Sequence, residues 1–244
     1  EEEAFLKQAD VVVAAYDPSW APLEYTDTET GMFSGVTSDL LSTFSRYTGL
    51  RFRFEPIDQA EALEKVKKGL IDMVCSVTGD YLWDERNKMY TTRYYLRAPT
   101  MLVRTKQPHA IERIALQGGY WFSEHVAADH PGKEIIFYKN VRECFDALLK
   151  GDADAVYANV YVTNYLLTER RYESLAATSM SKYTSEICFG ISKCADPRLL
   201  SILDKCIQYT APERMDELVL KNTTKPRQIT LLDFVAQHLI EVGC

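Results

Sequence analysis

Two stretches of the sequence hold the side chains with chemistry to offer. "AYDPSWAPLEY" places Asp17, Trp20, Glu24 and Tyr25 just after an apolar run. "GLIDMVCSVTGDYLWDERNKMYTTRYY", residues 69–95, ends a second apolar run on Ser76, Val77 and Thr78, then passes Trp83 and the charged turn Asp84-Glu85-Arg86 into a tyrosine-rich segment. Asp17, Glu24 and Asp80 are the carboxylates near predicted strand ends, where a general acid or base would stand. No nucleophile, base and oxyanion set accompanies them, no G-x-S-x-G occurs, and no His–Cys pair has suggestive spacing, so catalysis is not expected. His125 and His130 flank a polar helix end and read as surface residues. By its residues alone Arg86 reads as a solvated helix-start ion pair worth under about 1 kcal/mol. Ser76 and Thr78 read as hydroxyls that satisfy backbone at a strand end, Asp17 as a turn cap, and Trp20 as a lid over the core.

Bulk composition narrows the classes. With 244 residues, 46% hydrophobic and 26% charged, the chain is long enough for one large domain or two medium ones. A net charge of -7 and no long basic run argue against a nucleic-acid partner. No apolar window approaches the roughly 18 residues needed to span a bilayer, and Glu1-Glu2-Glu3 is unlike a signal peptide's cationic start. The six cysteines form no C-x-x-C pair and read mainly as small buried hydrophobes; no metal site and no cofactor is expected.

The elements that must position these residues alternate. Val11 to Ala15 is a buried strand, and "SGVTSDLLSTFSRYTG" is an amphipathic helix with Ser34 as cap candidate and Gly49 as stop. "LRFRFEPI" is a strand, "AEALEKVKKG" a short helix, and "LIDMVCSV" the next buried strand. The order then repeats: "IERIALQGG" and "EIIFYKN" as strands, "VRECFDALLKG" as helix, "DADAVYAN" as strand, "VYVTNYLL" as helix. Asp72 and Asp154, each just after a helix-ending glycine, read as turn residues. "SEICFGIS" returns as a strand before a helix started by Asp196-Pro197; "ERMDELVLKN" and a tail through Ile229, Leu232, Val235, Leu239 and Val242 are helical. This alternation predicts an α/β fold with ligands off the carboxyl ends of the strands.

With "WAPLEY" before "G-x-x-x-D-L-L", then "GLIDMV", "DER" with an aromatic-hydroxyl cluster and "ALLKGDADAV", the chain resembles the bacterial extracellular solute-binding proteins of the polar amino-acid type, the Venus flytrap modules also used as sensor ectodomains. The resemblance covers nearly the whole chain. It implies a two-lobed periplasmic-binding-protein type II fold with two crossover hinge strands near "APTMLVR" and "SEICFGIS". Lobe 1 is expected over 1–103 plus 187–244, with lobe 2 inserted over 104–186. It also implies that Arg86 clamps a ligand carboxylate, as a planar guanidinium suits, and that the ligand-binding set comprises Asp17, Trp20, Tyr25, Ser76, Val77, Thr78, Trp83, Arg86, Tyr120, Trp121 and Asn159.

Two departures shape the functional expectation. The loop between Asp72 and Arg86 carries an aromatic insertion around "YLW", and Asn159 stands where amino-acid binders place an aspartate against the ligand's ammonium. A neutral amide cannot supply that countercharge. The leading expectation is therefore an extracytoplasmic, non-enzymatic sensory ectodomain for a carboxylate-bearing amino-acid-like or aromatic compound, with a transmembrane and cytoplasmic signalling domain in the same polypeptide. The alternative is the solute-binding protein of an ABC-type amino-acid importer, whose partner is the permease; third is a dehydratase-like enzyme on the same fold.

Overall fold

The structure, a computed structural model, describes residues 1–107 and 109–223. The expected tail helix and Cys244 lie outside the described residues. In chain order the strands are β1 (Val12–Tyr16), β2 (Ser19–Trp20), β3 (Glu24–Thr26), β4 (Phe33–Ser34), β5 (Phe52–Pro56), β6 (Met73–Val77), β7 (Met89–Thr91), β8 (Leu96–Thr105), β9 (Arg113–Gln117), β10 (Glu134–Tyr138), β11 (Ala155–Asn159) and β12 (Leu175–Ser192). The helices are α1 (Glu2–Gln8), α2 (Val36–Thr48), α3 (Gln59–Lys67), α4 (Tyr81–Arg86), α5 (Trp121–Asp129), α6 (Val141–Lys150), α7 (Val160–Leu167), α8 (Pro197–Tyr209) and α9 (Pro212–Thr223).

Apolar runs of strand length become the buried centre of each half, because a strand covered on both faces has no solvent side to give polar residues. β6 is buried at every position, as is β11. The sheet order is β10-β9-β11-β8-β12-β6-β1-β5, with β7 paired to β12. β1 runs parallel to β5 and β6 at one end, and β9 runs parallel to β10 and β11 at the other. These ends are the two lobes, and the antiparallel strands β8 and β12 pass through both. Their pairing slips between Thr100 opposite Met180 and Pro99 opposite Thr184. A three-residue excess on one strand bends and twists the ladder there, as a bulge does.

Local signals behave mostly as read. Gly49 stops α2 in the left-handed region at φ 78° with its N–H on Ser45 O, and the Asp196 side chain caps α8 by accepting from Arg198 N. Ser34 is not the α2 cap. Gly35 takes that place at φ 116°, where an added Cβ would lie 2.4 Å from Leu23 O, so the site admits only glycine. The expected loop around "WAPLEY" folds as the small sheet β2-β3-β4. Asp72 and Asp154 do more than turn the chain: Asp72 Oδ2 accepts from Val13 N at 2.7 Å, and buried Asp154 accepts from the backbone N–H groups of Glu112 and Arg113 and from the side chains of Arg113 and His109.

Candidate functional site

Parallel strands point their carboxyl ends one way, so the two lobes bring four such ends face to face. Asp17 follows β1, Thr78 follows β6, Gln117 ends β9 and Asn159 ends β11. Asp17 is 3% exposed, and its Oδ2 accepts from Gln117 Nε2 at 2.6 Å and Tyr120 OH at 3.4 Å, both from the opposite lobe. Its Oδ1 accepts from Ser19 N and Oγ, and its own N–H donates to Glu24 Oε2 at 3.0 Å. Glu24 Oε1 accepts from Ser76 Oγ, which in turn meets Tyr95 OH at 2.7 Å.

Among the described residues neither Asp17 nor Glu24 belongs to an ion pair, so nothing positive offsets their removal from water. Burial pushes Asp17 above the ordinary carboxylate value, against the pull of its Ser19, Gln117 and Tyr120 hydrogen bonds. Burial likewise pushes Glu24 up to about 8, with the neighbouring Asp17 charge adding to the rise.

Between these ends lies a cavity of about 30 Å³, lined by Trp20, Thr78, Gln117, Tyr120, Phe122, Ser123, Val141, Tyr157, Ala158, Asn159 and Ser185. The chain's own aromatic pair bridges the gap. Trp20 from one lobe stacks on Tyr120 from the other, centroids 5.4 Å apart and planes at 22°. Two buried polar atoms on the cavity wall lack partners, Thr78 Oγ1 and Asn159 Nδ2, although Asn159 Oδ1 is used to cap α7 through Val162 N. A larger open groove of about 370 Å³ lies on the outer face between α1 and α8. Two of its carboxylates are already engaged, Asp72 on Val13 N and Asp196 on Arg198, whereas the cleft wall carries the two partnerless polar atoms.

Of the expected ligand-binding residues, Trp20, Thr78, Tyr120 and Asn159 reach the cavity wall. Asp17 and Ser76 form the hydrogen-bonded layer behind it. Val77 and Trp83 are instead buried in a first-lobe core with Val66, Val74 and Met89, and Tyr25 is half-buried in the small sheet, paired across to Ser34. Trp121 lies at the rim, its Nε1 donating to Asp80 Oδ2 at 3.1 Å. His130 is not a free surface residue: its Nε2 lies 3.2 Å from Tyr157 OH, on the cavity wall.

Arg86 is the main departure. Its side chain is 58% exposed, outside the cavity, and pairs with Glu124 of the opposite lobe. The cause is α4, which buries Trp83 and Asp84, with the following Asn87 also buried, and so turns Arg86 outward. As an exposed pair it contributes little. Arg86→Ala is expected to cost under about 1 kcal/mol in urea unfolding and to leave binding in the cleft within roughly twofold. A tenfold loss of affinity for a carboxylate ligand would restore the clamp.

Gln117 is absent from the expected set; its place at the end of a predicted strand is the signal that could have found it. Gly119 marks how closely the lobes meet. At φ 82° an added Cβ would lie 2.8 Å from Ala60 N, backbone at the start of α3. Gly119→Ala therefore carries both conformational strain and a clash that only lobe separation relieves. Small-angle scattering should show a more open molecule, with stability down by about 1 kcal/mol or more. An unchanged scattering curve would refute this.

A comparison with curated protein sequences returns no match. Among solved structures, the chain is similar to the periplasmic VFT2 domain of BvgS from Bordetella pertussis, at 20% identity and TM-score 0.79, covering 90% of this chain and 96% of that one. It is similar to the substrate-binding protein of an amino acid ABC transporter, at 19% identity and TM-score 0.77, covering 88% and 100%. A histidine kinase sensor domain with similarity to periplasmic binding proteins aligns at 16% identity and TM-score 0.78, covering 89% and 97%. At such identities the likeness is one of fold, the two-lobed type II periplasmic-binding-protein arrangement. Residues 12–222 match a family model directly, and the chain belongs to the bacterial extracellular solute-binding proteins, family 3.

Proposed function

We propose that this chain is an extracytoplasmic sensory ectodomain that closes two lobes over the strand-end cleft, and that it is a binding module and not a catalyst. One observation carries the reading: the cleft is held shut by the chain's own Trp20–Tyr120 stack and Gln117–Asp17 bond, down to a cavity of about 30 Å³. Small-molecule pockets are commonly about 300 Å³ or more, so a ligand enters here by displacing Tyr120. A compound with an aromatic or heterocyclic ring takes the tyrosine's place on Trp20, and a carboxylate or other acceptor meets Asn159 Nδ2. Membership of an extracellular family and the sensor domains among similar folds support the location and the signalling role. On this reading the lobes comprise, among the described residues, 1–103 plus 187–223 and 104–186. The pairing slip at Pro99–Thr100 and Met180–Thr184 supports a crossing a few residues earlier on each strand.

The alternative is an importer's binding protein, favoured by the likeness to the ABC transporter component. A thermal-shift screen against amino acids, aromatic carboxylates, nucleobases and small dicarboxylates, repeated with Asn159→Ala, separates the two. Ligand binding to the folded state raises the melting temperature by mass action. The sensor reading expects aromatic acceptors to shift the native chain and not the variant. A free polar amino acid binding at about 1 μM or tighter would favour the importer. No shift from any compound would overturn the ligand assignment.

A further inference from the structure

Asp17 is a buried carboxylate of the first lobe that hydrogen-bond donors of the second lobe cover, and that coverage changes when the cleft opens. On the first-lobe side its Oδ1 is fixed by Ser19 N and Oγ at 2.9 and 2.7 Å. On the second-lobe side its Oδ2 meets Gln117 Nε2 and Tyr120 OH, and the Trp20–Tyr120 stack excludes water above it. Opening removes the second-lobe donors and hydrates the carboxyl; closing strips its water and returns two neutral dipoles.

We propose that closure of the lobes is linked to proton uptake at Asp17, so that this cleft closes more firmly in acid and loosens as the medium becomes alkaline; the inference concerns the same cleft and rests on its lobes opening and closing. Neutral dipoles replace water poorly for a full charge, so a closed cleft without a cation favours the neutral acid. The protonated carboxyl keeps both Ser19 bonds at Oδ1, while its Oδ2–H donates to Tyr120 Oη or to the Gln117 carbonyl after rotation of that amide. The latch survives protonation, and the ionised form bears the desolvation.

The titratable groups around it supply no countercharge, although the Tyr120 hydroxyl bond pulls against the desolvation. Glu24 on β3 touches Asp17 N, Tyr120 approaches from the segment before α5, and Tyr95 and Cys75 stand behind Glu24. None of these is a cation. Lys139, whose carbonyl also accepts from Gln117, directs its ammonium to Asp58. Burial raises Asp17 from 3.8 in the closed state, and an open, hydrated Asp17 returns toward that value. A group raised in the closed state stabilises closure fully below its open-state value, and that contribution is lost as pH rises through the closed-state value.

The test is small-angle scattering of the whole chain without ligand from about pH 4.5 to 8, for the native protein, Asp17→Asn and Glu24→Gln. One linked proton changes the closure equilibrium by up to about tenfold per pH unit. The native protein should become more compact on acidification. D17N, whose amide mimics the neutral acid, should stay compact throughout, and E24Q should keep the native response. A native curve flat in pH overturns the proposal, as does a D17N variant that still responds or an E24Q variant that does not. Because no ligand is present, failure here leaves the outcome of the ligand screen for the sensory reading untouched, and failure of that screen leaves this titration intact.

Discussion

Glu24→Gln should flatten the fall in folding stability that is expected of the native chain between about pH 4.5 and 8. Glu24 is 1% exposed on β3, with Ser76, Tyr95 and the Asp17 N–H as its neighbourhood, and no positive side chain pairs with it among the described residues. Burial, with the Asp17 charge adding to it, pushes it up to about 8 from 4.5. The folded chain therefore holds a proton that the unfolded chain releases near 4.5. The sign follows from linkage: the stabilisation is complete below about 4.5 and is lost as pH rises to about 8. At about 1.36 kcal/mol per unit of pKa, the loss is on the order of 4 kcal/mol, a large share of a domain's typical stability of about 5–15 kcal/mol. The amide of E24Q keeps the shape and stays neutral, so its urea-unfolding free energy should change far less over that range. Parallel curves for the two proteins would show that Glu24 ionises normally in the folded chain.

That glutamate shows how far the sequence carries. Glu24 is visible as a carboxylate near a strand end, but its burial depends on Ser76, fifty-two positions away, and on a small sheet whose strands are two or three residues long. Strands and helices driven by local pattern are legible: the apolar runs form β1, β6 and β11, and Gly49 and Asp196 end and begin helices where expected. The pattern in "SEICFGIS" marks only the last part of β12, which starts at Leu175, because its first half pairs along β8 without a sustained apolar alternation.

At the site, aromatic and amide residues beside strand ends are the legible part, since Trp20, Thr78, Tyr120 and Asn159 all reach the cavity. Gln117 is legible only as a polar residue at a strand end, because its role as a latch comes through Asp17, one hundred positions earlier. Arg86 departs from expectation for a related reason. Its motif names a residue type, but the direction of the side chain is set by which face of α4 buries Trp83 and Asp84.

Tyr120→Ala should have the largest effect on the closed state. Tyr120 is 5% exposed and joins the lobes twice, by stacking on Trp20 and by donating its hydroxyl to Asp17. Truncating a buried aromatic side chain costs about 3–5 kcal/mol where the surroundings cannot collapse, and here the lobes can separate. Y120A should therefore lose some of that stability in urea unfolding and scatter as a more open molecule. Tyr120→Phe isolates the ring: it retains the stack and loses one long hydrogen bond at 3.4 Å, so it should cost only about 1 kcal/mol. The vacated ring site supplies a sharper check. If the stack is what closes the cleft, indole or phenol should raise the melting temperature of Y120A more than that of the native protein, because the variant offers an aromatic-sized space against Trp20 without Tyr120 having to be displaced. A Y120A variant that remains compact, keeps native stability and ignores both compounds would mean that closure is held by the rim contacts, Trp121 on Asp80 and Lys139 on Asp58, and that the aromatic stack merely fills the space they enclose.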